Sequence, residues 1–124
     1  MDFHIEKLSR QEILVTAPMQ ANINIHGTGF AGSIYALGVL TAWGLMKHCL
    51  DEAGLAAELV IAKANIQYKK PIVDEIVCAC QLSESNQQLF LQQLKERHKA
   101  KIILNVSCGK NSEARLEAHM YASL

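Results

Sequence analysis

Gly32-Ser33-Ile34-Tyr35-Ala36-Leu37-Gly38-Val39-Leu40-Thr41-Ala42-Trp43-Gly44-Leu45-Met46-Lys47-His48-Cys49-Leu50-Asp51-Glu52 carries the reading of this 124-residue chain. It holds no proline and stops two residues short of Gly54. The spacing predicts one long helix with Gly54 as its C-cap. Leu37, Val39, Leu40, Trp43, Leu45 and Leu50 cover most of the circumference, while Gly38, Ala42 and Gly44 leave room for another backbone to come close. A helix apolar on nearly every side needs cover on nearly every side.

A membrane is one such cover. From Ile13 to Met46 no residue bears a formal charge and only His26 titrates, so the window Gly27 to Met46 has the hydropathy of a candidate span. Against this, five glycines fall in that window (27, 29, 32, 38 and 44), and the rest of the chain alternates as strands do. A sheet wrapped around the helix is the better cover, and no membrane is expected.

Upstream, Phe3 to Leu8 and Glu12 to Ala17 are short runs split by Ser9-Arg10-Gln11. They read as an opening hairpin, with a short amphipathic helix as the alternative. Pro18 breaks the second run, and residues 19–31 form a glycine-containing loop. Downstream, Val60, Ala62, Ala64, Ile66 and Tyr68 are expected on one face of a long strand, with Lys63, Asn65, Gln67 and Lys69 on the other. Pro71 ends that strand. Ile76, Cys78, Cys80 and Leu82 mark a face of the next. A short helix follows, with Ser85 and Gln88 as a capping box and Phe90, Leu91 and Leu94 as its stripe. Strands over Lys101 to Cys108 and Ala114 to Met120 join through Gly109-Lys110-Asn111. The expectation is an α+β fold, a single domain over residues 1–124 with five to six antiparallel strands curved around the long helix. Its open edge strand is expected to pair with a second copy.

Composition narrows the function. Half of the residues are hydrophobic and 19% are charged, enough to fill a core and too apolar for a disordered tail. Twelve basic residues balance twelve acidic ones, which leaves no field to draw the chain onto nucleic acid. Asp2, Glu6, Lys7 and Arg10 interrupt any apolar run at the amino end, so no signal peptide is read and the cytoplasm is expected. Cys49, Cys78, Cys80 and Cys108 form no CxxC pair, and Cys78 and Cys80 lie too close along one strand for a relaxed bridge. They are expected to be reduced, buried and without a chemical role. No His or Cys pair has metal-ligand spacing, and neither a P-loop nor a Rossmann fingerprint occurs.

The run Asn24-Ile25-His26-Gly27-Thr28-Gly29-Phe30-Ala31-Gly32-Ser33, leading into Ile34-Tyr35-Ala36-Leu37, resembles hotdog-fold proteins. It is most similar to the thioesterase family found alone or behind a GNAT-type acetyltransferase domain, the YiiD C-terminal domain. Ile66-Gln67-Tyr68-Lys69-Lys70-Pro71-Ile72 is similar to that family's I-x-Y-x-x-P-V strand end, and Lys99-Ala100-Lys101-Ile102 after the small helix also fits. The resemblance implies a homodimer, or a tetramer built from dimers, that binds an acyl thioester of CoA or acyl carrier protein between subunits. No cofactor is implied beyond the CoA of the substrate. The carbonyl is expected over the start of the long helix, where Gly29, Ala31 and Gly32 admit a ligand close to the backbone and the first N–H groups can stabilise an oxyanion. By the same resemblance, Asn24 orients the attacking water or the carbonyl, and the Gly32 amide points at the carbonyl. His26 is a candidate base and Ser33 a candidate hydrogen-bonding group. Thr28, Phe30, Asn65 and Lys63 are candidate substrate contacts.

Each candidate has a plainer reading. Asn24 can cap a turn, His26 can be solvated, and Ser33 can serve the first helical turn. Lys63, Lys69, Lys70, Lys99 and Lys101 can meet CoA phosphates or merely keep strand edges soluble. Asp74 and Glu75 are expected to be exposed. One departure bears on chemistry. Related enzymes keep a helix carboxylate in a pattern like G-G-x-x-x-x-L-A-D, where this chain has Val39, and the histidine of the H-G-G version is Phe30. Thioester hydrolysis is the leading expectation. Thioester binding without turnover is the alternative, ahead of a hydratase of the same fold. Acetyltransferase character belongs to the domain fused to relatives.

Overall fold

The expected long helix forms as α1, over Ala31–Glu52. The computed structural model describes residues 2–18 and 31–124. Asn24, His26, Thr28, Gly29 and Phe30 therefore lie outside the described residues. α1 ends as the sequence predicts. Gly54 has φ +70°, its N–H donates to the Asp51 carbonyl, and the Leu55 N–H donates to the Leu50 carbonyl at 3.0 Å. Those two bonds satisfy carbonyls that the last helical turn leaves without partners.

Strands β1 (His4–Leu8) and β2 (Glu12–Ala17) form the opening hairpin, which settles that alternative against a helix. The Ser9 hydroxyl accepts from the Gln11 and Glu12 N–H groups and shapes the turn. After α1 come β3 (Glu58–Tyr68), β4 (Ile76–Gln81), helix α2 (Glu84–Arg97), β5 (Lys99–Cys108) and β6 (Ala114–Ser123). Among the described residues the six strands make one antiparallel sheet in the order β1-β2-β4-β5-β6-β3. The edges are β1, exposed at all five residues, and the eleven-residue β3.

α1 lies against the inner face of this sheet. Leu37, Ala42, Leu45, Met46, Cys49 and Leu50 are fully buried there, among Val15, Ile76, Cys78, Val106, Leu116 and Met120 of the strands. Thr41 is buried too, its hydroxyl returning to the Leu37 carbonyl at 2.6 Å. The small residues of α1 act as expected, but side chains rather than a backbone come close. A Cβ on Gly38 would stand 3.2 Å from both Cys108 Sγ and Leu116 Cδ1, and one on Gly44 would stand 3.1 Å from Ile13 Cδ1.

Two local expectations are corrected. β3 does not carry Val60, Ala62, Ala64, Ile66 and Tyr68 on one face. Its pairing with β6 shifts between Ile61 and Lys63, so Ala62 is a bulge residue. Leu59 and Ile61 face α1 before the bulge, Ala64, Ile66 and Tyr68 after it, and Val60 is exposed on the opposite, outer face. In α2 the N-cap is Ser83, not Ser85. Ser83 is extended (φ −65°, ψ 151°) and accepts from the Asn86 N–H at 3.2 Å. Phe90 and Leu94 are buried and Leu91 half-buried, as the stripe predicted. At the other end, His98 adopts φ +60° and donates its N–H to the Leu94 carbonyl.

Candidate functional site

The start of α1 lies beside the end of β3. Beyond its bulge, β3 directs Tyr68 inward, and the Tyr68 hydroxyl donates to the Ala31 carbonyl at 2.8 Å. Partial burial, then the neighbouring Cys108 and Tyr35, push the Tyr68 pKa upward, so the phenol stays protonated and keeps donating at neutral pH. Ala31, Ile34, Tyr68, Lys69, Lys70 and Ile72 line a cavity of about 310 Å³ at this junction, with Pro71 at its rim. The N–H groups of Lys69 and Lys70 both donate to the Glu113 carbonyl, at 2.8 and 3.1 Å, which ties that rim to the turn before β6.

Ala31 and Gly32 are exposed at this site and Ser33 is half-buried. The first turn of α1 contains no acidic residue, so no carboxylate on that turn offsets the positive end of the helix dipole. Along α1 the first carboxylate is Asp51, at the far end. Val39 is half-buried and packs against the core.

Of the expected site residues, the structure brings Ala31 to this cavity together with Lys69 and Lys70, with Gly32 and Ser33 following Ala31 along the first turn of α1. Lys63 and Asn65 are elsewhere within the chain. They sit on the outer face of β3, opposite His119 and Glu117 of β6, and so across the sheet from α1. Asp74 and Glu75 are exposed, as expected.

Tyr68 entered the sequence reading only as part of a strand-end motif. Nothing in its spacing shows that its hydroxyl reaches the helix start. The His119–Glu117 pair was missed altogether. These residues alternate outward on β6, and His119 Nε2 lies 2.7 Å from Glu117 Oε1. His119 adjoins a larger cavity, about 420 Å³, between α2 and the sheet, lined among others by Leu89, Phe90, Ile103 and Tyr121. That cavity is roomier, but the first-turn residue of α2 that lines it, Asn86, already donates its N–H to the Ser83 hydroxyl and does not offer it to a developing oxyanion. The α1 site is therefore the better candidate.

The four cysteines are buried and unbridged. Burial raises the Cys49 thiol to about 11 and the Cys80 thiol to about 12. Among the described residues no group of three or more His, Cys, Asp or Glu side chains is placed to hold a metal, and no helix is long and apolar enough to cross a membrane.

With this geometry in hand, the chain can be set beside known proteins. Residues 1–121 match the family described as "Putative thioesterase (yiiD_Cterm)". A solved structure of a "putative thioesterase" from Shewanella oneidensis shares 29% identity at a TM-score of 0.85, covering all of this chain and 85% of that one. A protein of unknown function from Chlorobaculum tepidum superposes at a TM-score of 0.93 with 23% identity, over 99% of this chain and 83% of its own. A "Probable Thioesterase" from Pseudomonas aeruginosa superposes at 0.86 with 18% identity, over 98% and 82%. The long helix within a curved antiparallel sheet is the hotdog fold.

Proposed function

This chain belongs to that thioesterase family, and we propose that it hydrolyses an acyl thioester of CoA or acyl carrier protein at the start of α1. The observation that carries the proposal is the junction of the α1 start, at Ala31, with a cavity lined by Tyr68, Lys69 and Lys70, with no acid in the first turn. Water adds to the thioester carbon, negative charge develops on the carbonyl oxygen, and the thiolate of the carrier leaves. The helix-start N–H groups are the preorganised donors for that oxygen. Asn24 orients the water, a role that rests on the family resemblance, and His26, an imidazole suited to take up a proton near neutral pH, accepts its proton. Lys69 and Lys70 offer positive charge at the rim to the phosphates of CoA or the carrier.

The same reading makes the protein a cytoplasmic homodimer. β3 is a long, open edge whose outer side carries Val60, 46% exposed, and pairing with a second copy would cover it. Lys63 and Asn65 then contribute to the site from the second copy, since within one chain they lie across the sheet from it. A species of 14 kDa alone in light scattering at micromolar concentration would refute the dimer.

Val39 supports a second reading, in which the domain binds acyl thioesters without turnover. The helix residue that supplies a general base in related enzymes is here an apolar side chain packed on the core. A panel of acyl-CoA chain lengths separates the two readings, with free-thiol release and binding followed in parallel on the purified protein. Release above the uncatalysed rate supports hydrolysis. Binding without release supports the second reading, and neither response overturns both.

A further inference from the structure

Cys78 and Cys108 face each other across β4 and β5, and no step proposed above uses either. Their Cα positions are direct partners in the ladder. The neighbouring pair is Val77 and Gly109, where the Gly109 N–H donates to the Val77 carbonyl at 2.7 Å. Hydrogen-bonded and non-hydrogen-bonded pairs alternate along an antiparallel ladder, so Cys78 and Cys108 occupy a non-hydrogen-bonded position. Cα atoms at such a position stand about 4.5 Å apart, which lies at the short end of the span a disulfide bridges. A bond can therefore form there without a large backbone movement.

The surroundings single out this pair. Both residues are fully buried on the inner face. The Cys78 thiol hydrogen-bonds to the Cys108 sulfur, which holds the Cys108 thiol below its ordinary range and the Cys78 thiol above it. Neither other cysteine faces a thiol across the ladder. Cys80 is opposite Val106, and Cys49 donates to the Arg10 carbonyl at 3.3 Å. The pair lies at the β4–β5 end of the ladder nearest the turn at Gly109.

We propose that Cys78 and Cys108 are a reversible oxidation site, converted by a hydroperoxide to a cross-strand disulfide and restored by a small dithiol. The Cys108 thiolate attacks one peroxide oxygen, the O–O bond breaks, and the sulfur becomes a sulfenic acid while hydroxide leaves. The Cys78 sulfur then attacks the Cys108 sulfur, the S–S bond forms, and the S–O bond breaks with loss of water. With hydrogen peroxide, two thiols give up two electrons and two protons and one peroxide becomes two waters. Such a site lies outside the sequence reading, which weighed Cys78 only against its near neighbour Cys80.

Hydrogen peroxide applied to the reduced, folded protein tests the site. The protein is then unfolded, alkylated and digested, and the peptides are weighed. Two of the four cysteines should escape alkylation, in a Cys78–Cys108 linked peptide that dithiothreitol dissolves. Cys80→Ala should leave that linkage intact, and Cys108→Ala should abolish it. Full alkylation of all four cysteines after peroxide treatment would overturn the proposal. So would a bridge between any other pair, or over-oxidised sulfur at Cys108 with no bridge. The mapping uses the unmutated chain, so it stands even if a variant fails to fold.

Discussion

Gly109→Ala is a demanding test of how the strands are tied to the site. Gly109 has φ +98°, a conformation that costs a residue with a Cβ about 1–2 kcal/mol. An added Cβ would also run into the Glu113 carboxylate. Glu113 is 8% exposed, and its Oε1 accepts from the Asn111 N–H at 2.7 Å. Driving that side chain away strands a largely buried polar group, at about 1–3 kcal/mol. The total is about 2–5 kcal/mol. For a urea dependence of about 2 kcal/mol per molar, the unfolding midpoint falls by about 1–2.5 M. Gly54→Ala is the internal control, because Gly54 also has positive φ (+70°) but its added Cβ meets nothing within 4 Å. It should show the backbone cost alone. Equal losses in the two variants, within about 0.5 kcal/mol, would refute the role given to Glu113. The Glu113 carbonyl also holds Lys69 and Lys70, so Gly109→Ala should weaken acyl-CoA binding where Gly54→Ala does not.

Asn24→Ala should lower kcat on the best acyl-CoA by about 10²-fold in a folded dimer, the usual cost of losing one oriented donor, and full activity would move the site elsewhere. Val39→Asp restores a carboxylate where related enzymes keep one and should raise thiol release, provided circular dichroism shows the fold intact; an unchanged rate in a folded protein would refute the importance of that position. Tyr68→Phe removes the hydrogen bond to Ala31, worth about 0.5–1.5 kcal/mol of stability, and should lower the urea midpoint by about 0.3–0.8 M as well as reducing kcat; an unchanged kcat in the folded variant would refute a role for this contact at the site. Cys49 and Cys80 titrate above their ordinary 9.0 when folded, so the folded state retains their protons longer than the unfolded state does. Their contribution is therefore full below about pH 9 and is lost as pH rises toward about 11–12. Urea midpoints at about pH 8 and about pH 10.5 should differ less in Cys49→Ala than in the unmutated chain.

The elements that declared themselves in the sequence are those whose local chemistry and tertiary role agree. α1 has no competing pattern, and Gly54 marks its end twice over, by position and by conformation. The hairpin, Pro18 and the turn at Gly109 are local signals of the same kind. α2 was found, but its cap was misplaced because Ser83 and Ser85 are both competent N-cap residues. Only the backbone shows that Ser83 is extended and that Glu84 already opens the helix. The site was less legible. Ala31, Gly32 and Ser33 meet where a helix start was expected, yet what they meet, Tyr68 with Lys69 and Lys70, arrives from a strand more than thirty residues later. No local rule links the two. The pairing of Cys78 with Cys108 is hidden for the same reason, since a ladder partner is set by topology and not by spacing.

β3 shows where a finer reading of the residues was possible. Leu59 and Ile61 are two apart, Ala64 and Ile66 are two apart, but Ile61 and Ala64 are separated by three. A strand with strict alternation cannot turn both sets to the same face. Either one set is exposed, or an extra residue resets the phase. Ala62 is that residue. The consequence reaches the site. Without the reset, the face carrying Leu59 and Ile61 would continue through Lys63, Asn65 and Gln67, and three polar side chains would be driven against α1. Tyr68 would then point outward and could not donate to Ala31. With the reset, Tyr68 faces the helix start while Lys63 and Asn65 stay on the outer side of an edge strand. Deleting Ala62 removes the extra residue, so Leu59, Ile61, Ala64, Ile66 and Tyr68 then alternate in strict phase and all still face α1, with Lys63 and Asn65 outward. It should therefore leave the Tyr68 contact, and whatever turnover the α1 start supports, in place. A folded deletion variant that loses the thioester turnover of the unmutated chain would refute this account of β3.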